Sequence, residues 1–488
     1  MADYTPTFRV NHLVRLRGFN HAALDGKLAR VTSLLVEANG KYYIEFLDES
    51  KRPPVPTVPA RWLQVEPEHM EFVCEYCLVT AAAAAAADGG HKLQVCGKCK
   101  TAHYCNAVCQ HADWARHRDA DCRIFATVRG AGKPFHLACV KGNLVEVRRM
   151  VEVEGADVDK TTTGGPTPLR VAVAFGHFAL AQYLVQRGAD LDMASGNDGM
   201  TPLTEAASKG HSSIVQYLVQ QGADKNKANN GGWTPLMTAS DQGHLAIVQH
   251  LVEQGADKEK ANIDGWTPLI AAALKGHLKV VRYLVQQGVD KEKAGNDGGT
   301  PLLAAADQGH LAVVRFLVQQ GADTNKAANE GWTPLIVAAT KGHLAIVQYL
   351  VQQGADKDKA DNDGRTPLIM AVLKGHLAIV QYLVEKGANK DTADKEGWTP
   401  LYVAAYEGHL AVVQYLSEQG ADKEKADNDG FTPLLAASDQ GHLAVVQYLV
   451  EQGADKEKAD NDGYTPLQIA LSRGHAEVAA YLRAAGAK

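Results

Sequence analysis

The segment GWTPLIAAALKGHLKVVRYLVQQGVD, residues Gly265–Asp290, has the pattern of two short helices joined by a tight turn. Pro268 follows Thr267 and suits the first turn of a helix, where its missing N–H leaves no hydrogen bond unmade. The alanines after it are small, so this first helix can pack closely against a neighbour. Gly276 is expected to end the helix.

The second half of the segment carries the apolar spacing of a second helix. Leu278, Val281 and Leu284 recur at helical intervals and predict one buried face. Gly288 is expected to cap the C-terminal end of this helix. Two such short helices cannot bury their apolar face alone, so their stability must come from stacking on similar units.

The tripeptide Thr-Pro-Leu recurs with a period of 33 residues from Thr201 onward. Its threonines are Thr167, Thr201, Thr234, Thr267, Thr300, Thr333, Thr366, Thr399, Thr432 and Thr465. A degenerate first copy, KPFHLACVKGN, starts at Lys133, which makes eleven units over residues 133–488, including degenerate terminal caps. The pattern TPLxxAxxxGHLxxVxxLxxxGAD resembles the ankyrin repeat, and the resemblance implies a helical solenoid.

Alignment of the repeats with one another separates constant from varied positions. Ten of the nineteen histidines follow the glycine of the Gly-His pair, for example His244 and His277. A histidine copied at one pitch predicts a structural hydrogen bond in the turn, since a catalytic group would not be repeated in this way. The recurring loop KEKADNDG is expected to be a solvated edge that keeps the solenoid soluble.

Two positions vary on this uniform scaffold. The residue directly before each threonine, here called the tip residue, is Pro166, Met200, Trp233, Trp266, Gly299, Trp332, Arg365, Trp398, Phe431 or Tyr464. The residue seven after each threonine, here called the inner residue, is Ala174, Ser208, Asp241, Leu274, Asp307, Thr340, Leu373, Tyr406, Asp439 or Ser472. The ankyrin resemblance implies that both positions line the concave face, where partners of that family usually bind.

Aromatic tip residues are candidates for binding energy, because Trp and Tyr dominate many protein interfaces. The predicted partner-binding tips are Trp233, Trp266, Trp332, Trp398, Phe431 and Tyr464. The alternative is that each ring only covers the neighbouring hairpin.

Seven of the eight cysteines lie between Cys74 and Cys122. Such crowding in a reducing compartment favours zinc over disulfides. Two C-x2-C pairs have the spacing with which two thiolates reach one tetrahedral zinc ion. Seven thiolates leave one ligand missing for two sites; His117, five residues before Cys122, has suitable spacing, whereas His111 lies only two residues after Cys109. The predicted ligands are Cys74, Cys77, Cys96, Cys99, Cys105, Cys109, His117 and Cys122. Cys139 stands at an alanine position of the first repeat and is expected to be a small core residue.

The ligand order over residues 74–122 resembles the MYND zinc finger, apart from an Ala-rich loop at 79–90 that is longer than the family usually carries. The resemblance implies interleaved ligation: Cys74 and Cys77 join Cys105 and Cys109, and Cys96 and Cys99 join His117 and Cys122. A sequential zinc ribbon of the first four cysteines is the alternative. Both zinc ions are expected to be structural, because protein ligands fill both coordination spheres.

The MYND family binds peptides, often proline-rich ones. Gln110 and Trp114 match the contact positions that the resemblance implies. The alternative interpretation is that Trp114 is a core residue of the small finger.

The N-terminal residues 8–67 alternate short β-rich runs with turns, as in VRLRGF, DGKLARV and GKYYIEFLD. They resemble, loosely, the small SH3-like barrels found beside MYND fingers. The predicted fold class is therefore mostly α: an ankyrin-repeat solenoid preceded by a two-zinc MYND-type finger and a small β-rich SH3-like barrel.

Charge and motif content favour an interaction protein over an enzyme. The net charge of −6 gives no reason to expect nucleic acid or an anionic membrane, and the N-terminus lacks the apolar core of a signal peptide. No nucleotide-binding, zinc-protease or serine-hydrolase motif is present in the sequence. We expect a monomeric, non-enzymatic adaptor in the cytoplasm or nucleus. The alternatives are a component of a ubiquitin-ligase-type assembly and a transcriptional corepressor-like regulator.

Overall fold

The computed structural model describes residues 134–161 and 164–488 in full, and before them the backbone of seven strands. The chain divides into two compact units, Met1–Leu180 and Ala181–Lys488. The expected domain boundaries at 8–67, 74–122 and 133–488 stay predictions.

The strands of the first unit lie in the segment predicted to be β-rich and in the cysteine-rich segment. They are β1 (His12–Leu16), β2 (Leu28–Val36), β3 (Tyr42–Glu45), β4 (Trp62–Val65), β5 (Met70–Phe72), β6 (Gln94–Val95) and β7 (His103–Tyr104). The first five form an antiparallel sheet in the order β4-β3-β2-β1-β5, and β6 pairs with β7. This order of five strands does not support the SH3-like barrel that the sequence predicts.

The fully described residues contain twenty-two helices in eleven consecutive pairs. The first helices of the pairs are α1 (Pro134–Val140), α3 (Pro168–Ala174), α5 (Pro202–Lys209), α7 (Pro235–Asp241), α9 (Pro268–Leu274), α11 (Pro301–Asp307), α13 (Pro334–Lys341), α15 (Pro367–Leu373), α17 (Pro400–Tyr406), α19 (Pro433–Gln440) and α21 (Pro466–Arg473). The second helices are α2 (Leu144–Glu152), α4 (Phe178–Gln186), α6 (Ser212–Gln220), α8 (Leu245–Glu253), α10 (Leu278–Gln286), α12 (Leu311–Gln319), α14 (Leu344–Gln352), α16 (Leu377–Glu385), α18 (Leu410–Glu418), α20 (Leu443–Glu451) and α22 (Ala476–Ala484).

Helix α9 shows why the Thr-Pro-Leu tripeptide starts a helix. Thr267 is the N-cap, and its Oγ1 accepts the backbone N–H of Ile270 at 3.3 Å. Pro268 takes the first helical position, where no N–H is needed. Thr267 is fully buried, so this cap also satisfies a donor that water cannot reach.

Helix α10 ends in the glycine cap that the sequence predicts. Gly288 adopts a φ of +75° two residues beyond the last helical residue. Its N–H donates to the Val285 carbonyl at 3.0 Å, and the N–H of Val289 donates to the Leu284 carbonyl at 3.3 Å. These two bonds satisfy carbonyls that the end of the helix leaves free.

The buried face of α10 differs in one residue from the expectation. Val281 and Leu284 are buried as predicted, and Val280 is buried beside them. Leu278 is only partly buried, because it is the first residue of the helix and lies at the edge of the packed face.

In the second unit, stacking joins like helices of consecutive repeats. Each first helix packs against the first helix of the next pair from α5 to α21, and each second helix packs against the next second helix. The leucines of the Thr-Pro-Leu tripeptides are buried in this stack. Among the described residues, no helix is long and apolar enough to cross a membrane.

Two glycines of one repeat separate backbone strain from close packing. Gly276 and Gly288 share a φ of +75°, but a Cβ on Gly276 would lie 2.5 Å from the His310 ring, whereas a Cβ on Gly288 meets nothing within 4 Å. We expect Gly288→Ala to lose about 1 kcal/mol through its left-handed backbone. Gly276→Ala should lose clearly more, as measured by urea unfolding followed by far-ultraviolet circular dichroism. Equal losses would show that the histidine contact contributes nothing.

Candidate functional site

Six of the ten tip residues are positioned by a short polar side chain four residues earlier. The backbone N–H of Trp266 donates to Asn262 Oδ1 at 2.8 Å, and that of Trp398 donates to Asp394 Oδ1 at 2.9 Å. The same bond holds Trp233, Arg365, Phe431 and Tyr464. Asn and Asp favour such turns because their side chains replace a backbone partner.

Neighbouring hairpins, meaning the six residues before each threonine, are joined by a ladder of asparagines. Asn296 donates its backbone N–H to the Asp264 carbonyl at 2.9 Å and its Nδ2 to the Ile263 carbonyl at 2.8 Å. The Nδ2 bond to the preceding hairpin recurs at Asn230, Asn329, Asn362, Asn428 and Asn461. Ile263 and Lys395 occupy this ladder position in two hairpins, and Ile263 is 66% exposed.

The structure gives the predicted tip aromatics mixed surroundings. Trp233, Trp266, Trp332, Trp398 and Phe431 are partly buried, and Tyr464 is 51% exposed. A Cβ on Gly295 would lie 2.9 Å from Trp266 Cδ1, so the Trp266 ring covers the neighbouring hairpin. This contact matches the packing alternative at Trp266, and none of the six rings is fully buried.

From His244 to His475, the histidine of each Gly-His pair makes a hydrogen bond, and the bond runs to the preceding repeat. His277 Nε2 lies 2.8 Å from the carbonyl oxygen of Asp241, and His310 Nε2 lies 3.0 Å from that of Leu274. The acceptor is in each case the inner residue 36 positions earlier. The further pairs are His244–Ser208, His343–Asp307, His376–Thr340, His409–Leu373, His442–Tyr406 and His475–Asp439.

Inner residues therefore serve the scaffold through their backbone while their side chains vary. Two inner aspartates pair with a cation of the next repeat: Asp307 lies 3.6 Å from Lys341, and Asp439 lies 2.7 Å from Arg473. Asp439 keeps only 12% of its side chain exposed.

An aromatic cluster lies in the ninth repeat, where the tip and inner residues are both rings. The Trp398 ring centroid lies 5.2 Å from that of Tyr402 and 5.4 Å from that of Tyr406. Tyr402 is buried, and its burial, together with the nearby charge of Asp427, raises the pKa of its phenol. Sequence reasoning identified Trp398 and Tyr406 but missed Tyr402, which stands three residues after Thr399, on the same helix.

A groove of about 340 Å³ opens beside this cluster, between the hairpins of the eighth and ninth repeats. Its apolar lining comes from Ile369, Leu373, Trp398 and Val403. Its charged rim is formed by Asp363, Arg365, Asp394, Lys395 and Glu396.

The loops equivalent to KEKADNDG, such as KEKAGNDG at residues 291–298, do more than form the predicted solvated edge, because they also make contacts between repeats. Lys293 Nζ donates to the Glu259 carbonyl of the preceding repeat at 2.7 Å and lies 3.3 Å from Glu259 Oε2. The N–H of Asp290 donates to Glu259 Oε1 at 2.8 Å. Equivalent lysine bonds recur at Lys260, Lys326, Lys359, Lys425 and Lys458. In the sequence, the regular recurrence of the loop at the repeat period was the signal that could have indicated these contacts between repeats.

The predicted zinc ligands and the finger residues Gln110 and Trp114 lie outside the described residues. In the described part of the chain, no group of three or more His, Cys, Asp or Glu side chains could hold a metal ion. Strands β6 and β7 end directly before Cys96 and Cys105. Cys139 is fully buried, and burial raises the pKa of its thiol to about 12, in line with the predicted core residue.

Stacked pairs of short helices that begin at Thr-Pro-Leu define a repeat protein of the solenoid class. The family model described as "Ankyrin repeats (3 copies)" matches overlapping segments from residue 108 to residue 488. The chain therefore belongs to the ankyrin repeat family. The model described as "MYND finger" matches residues 74–122, which shows an N-terminal zinc-binding finger.

A curated relative matches only a small part of the chain. Protein phosphatase 1 regulatory subunit 27 of Homo sapiens is 40% identical over 68 residues, which are 14% of this chain and 44% of the relative. The match therefore spans less than half of the relative's length. Its 68 residues are close to the length of two 33-residue repeats.

Two lysines of one loop test whether the charged loops stabilise the stack. Lys293→Met removes the bond to the Glu259 carbonyl and should lose about 1 kcal/mol. Lys291, in the same loop, has no hydrogen bond or ion pair to a described residue, so Lys291→Met should change stability by less than about 0.5 kcal/mol. Urea unfolding of both variants makes the comparison. Equally small effects would restore the solvated-edge interpretation.

Proposed function

We propose that the chain is a non-catalytic adaptor whose ankyrin repeats bind one protein partner and whose MYND finger binds another protein or a peptide. The inner residues carry this proposal. From Ser208 to Asp439 their backbone carbonyls accept the same histidine bond, so the scaffold stays constant while Asp241, Leu274, Tyr406 and others present different side chains. A constant scaffold with varied surface residues suits recognition of a specific partner.

The tip residues extend this surface. Asn or Asp holds the backbone of each aromatic tip residue except Trp332, and the aromatic rings are all solvent-accessible at least in part. We propose that Trp233, Trp266, Trp332, Trp398, Phe431 and Tyr464 contact the partner. At Trp266 the ring also covers Gly295, so its contribution to folding has to be measured separately.

For the finger, the donor set fits zinc. Seven thiolates and one imidazole in two C-x2-C pairs and a C-x3-C…H-x4-C run provide ligands for two tetrahedral sites. We propose two structural zinc ions with interleaved ligands, and contact of Gln110 and Trp114 with a proline-rich peptide.

Within the class of adaptor proteins, several regulatory roles are alternatives to a simple scaffold. The human relative is by name a regulatory subunit, which supports a regulatory role for repeats of this kind. A component of a ubiquitin-ligase-type assembly and a corepressor-like regulator are the other candidates. We propose that the chain itself transfers neither methyl groups nor ubiquitin, acts as a monomer and works in the cytoplasm or nucleus.

Single alanine variants of the tip tryptophans test the repeat surface, after affinity capture with the isolated array and mass spectrometry have identified a partner. Trp233, Trp266, Trp332 and Trp398 should contribute unevenly, with one or two of them losing about 2 kcal/mol of binding free energy. Calorimetric titration measures the binding, and thermal melting of each variant is the control for folding. Four variants that bind normally but melt early would show that these rings only pack.

The zinc proposal is tested by elemental analysis and matched histidine variants. Wild-type protein should carry two zinc ions, His117→Ala about one fewer, and His111→Ala the full two. Chelation should expose seven thiols to a thiol reagent and leave Cys139 unreactive until the helices unfold, because that thiol is buried and protonated. Equal zinc loss from both variants would show that His117 is the wrong ligand.

A further inference from the structure

The groove between the eighth and ninth repeats lies in the second unit and is lined by apolar and charged side chains of both repeats. Its volume of about 340 Å³ is near the lower end of small-ligand sites, which span roughly 300–1,000 Å³. Ile369 and Leu373 of one repeat line it together with Trp398 and Val403 of the next. The apolar floor can therefore take the carbon stem of one long side chain.

The rim of this groove begins an acidic, aromatic surface that we call the C-terminal hairpin face, residues 393–398, 426–431 and 459–464. These three hairpins carry three aromatic tips, six carboxylates and one lysine. Hairpins 228–233, 261–266 and 294–299 carry two tryptophans, two carboxylates and the exposed Ile263. Along the tips, the array thus changes from apolar to acidic.

The carboxylates at the third position before each threonine remain open to solvent. Glu396, Asp429 and Asp462 are exposed, and among the described contacts none of their side chains has an ion-pair partner. Asp363, which also lines the groove, keeps 64% of its side chain exposed although it pairs with Arg365. Arg365 is itself held by both Asp361 and Asp363, so its charge is already neutralised.

We propose that the groove and the C-terminal hairpin face bind an extended basic segment of the partner protein, with an arginine or lysine side chain in the groove. The stem of that side chain lies on the apolar floor, and its cationic end meets Glu396 and the open edge of Asp363. The Trp398 ring supplies a further favourable contact for a cation. Charge complementarity selects this occupant over an acidic segment.

This inference rests on the proposed partner-binding function of the repeats and specifies the chemistry of that partner. The probe is a fluorescein-labelled twelve-residue peptide that alternates Arg and Leu, compared with a peptide in which Glu replaces each Arg. Fluorescence anisotropy with the full chain measures the dissociation constants. The basic peptide should bind at least about tenfold more tightly, and the difference should shrink as salt is raised.

Two matched triple variants separate the acidic face from the net charge of the chain. Glu396→Gln with Asp429→Asn and Asp462→Asn removes three charges from the C-terminal hairpin face. Asp264→Asn with Asp297→Asn and Glu330→Gln removes three charges at the same repeat position elsewhere. The first triple should weaken binding of the basic peptide about tenfold, and the second less than about threefold. Trp398→Leu should likewise weaken it more than Trp266→Leu.

Equal losses from both triples, equal binding of the two peptides, or no binding of either would overturn the inference. If a natural partner loses affinity with Trp233→Ala or Trp266→Ala but binds the first triple normally, the proposed adaptor function stands and the basic-segment inference fails.

Discussion

The bond from the histidine of one repeat to the inner carbonyl of the preceding repeat holds the rest of the array in register. It depends on the glycine of the Gly-His pair in the preceding repeat, which leaves room for the histidine ring. The His310 ring lies where a Cβ on Gly276 would stand, so any larger residue would push the ring away from the Leu274 carbonyl. The histidine of each Gly-His pair thus binds a backbone carbonyl of the preceding repeat, and the glycine of the pair makes room for the histidine of the next repeat.

A backbone acceptor has a consequence for recognition. Because the carbonyl of an inner residue is identical in every amino acid, the side chain is free to change without loss of the bond. The same holds at the hairpins, where Asn296 reaches the Ile263 carbonyl whatever side chain that residue carries. The loops follow the same rule, since Lys293 binds the carbonyl of Glu259. The array therefore keeps its shape by contacts that place few demands on the residues facing a partner.

Sequence patterns predict the fold well because the repeats can be aligned with one another, so that each repeat shows which positions are constant in the others. The starts of the helices, their glycine caps and the buried Val281 and Leu284 all follow from one segment, whereas Leu278 was wrong because a helix terminus lies at the edge of the packed face. The partners of the constant polar residues could not be predicted. Periodicity shows that His277 and Lys293 matter, but their acceptors lie 36 and 34 residues earlier, in another repeat. The groove beside Trp398 could not be predicted for a similar reason, since it is formed by side chains of two repeats that no single motif contains.

The spacing of these bonds bears on how such a chain can lengthen. Each links a residue to one that is 31, 33, 34 or 36 positions earlier, which is one repeat period within a few residues. Insertion of a complete 33-residue unit that keeps these donors and acceptors therefore preserves the bonds on both of its sides. Residues 409–430 and 442–463 differ only at Ser417 and Val450, as expected after duplication of one such unit. The architecture thus lets the length of its surface evolve by copying, while specificity evolves separately by point substitution at the tip and inner residues.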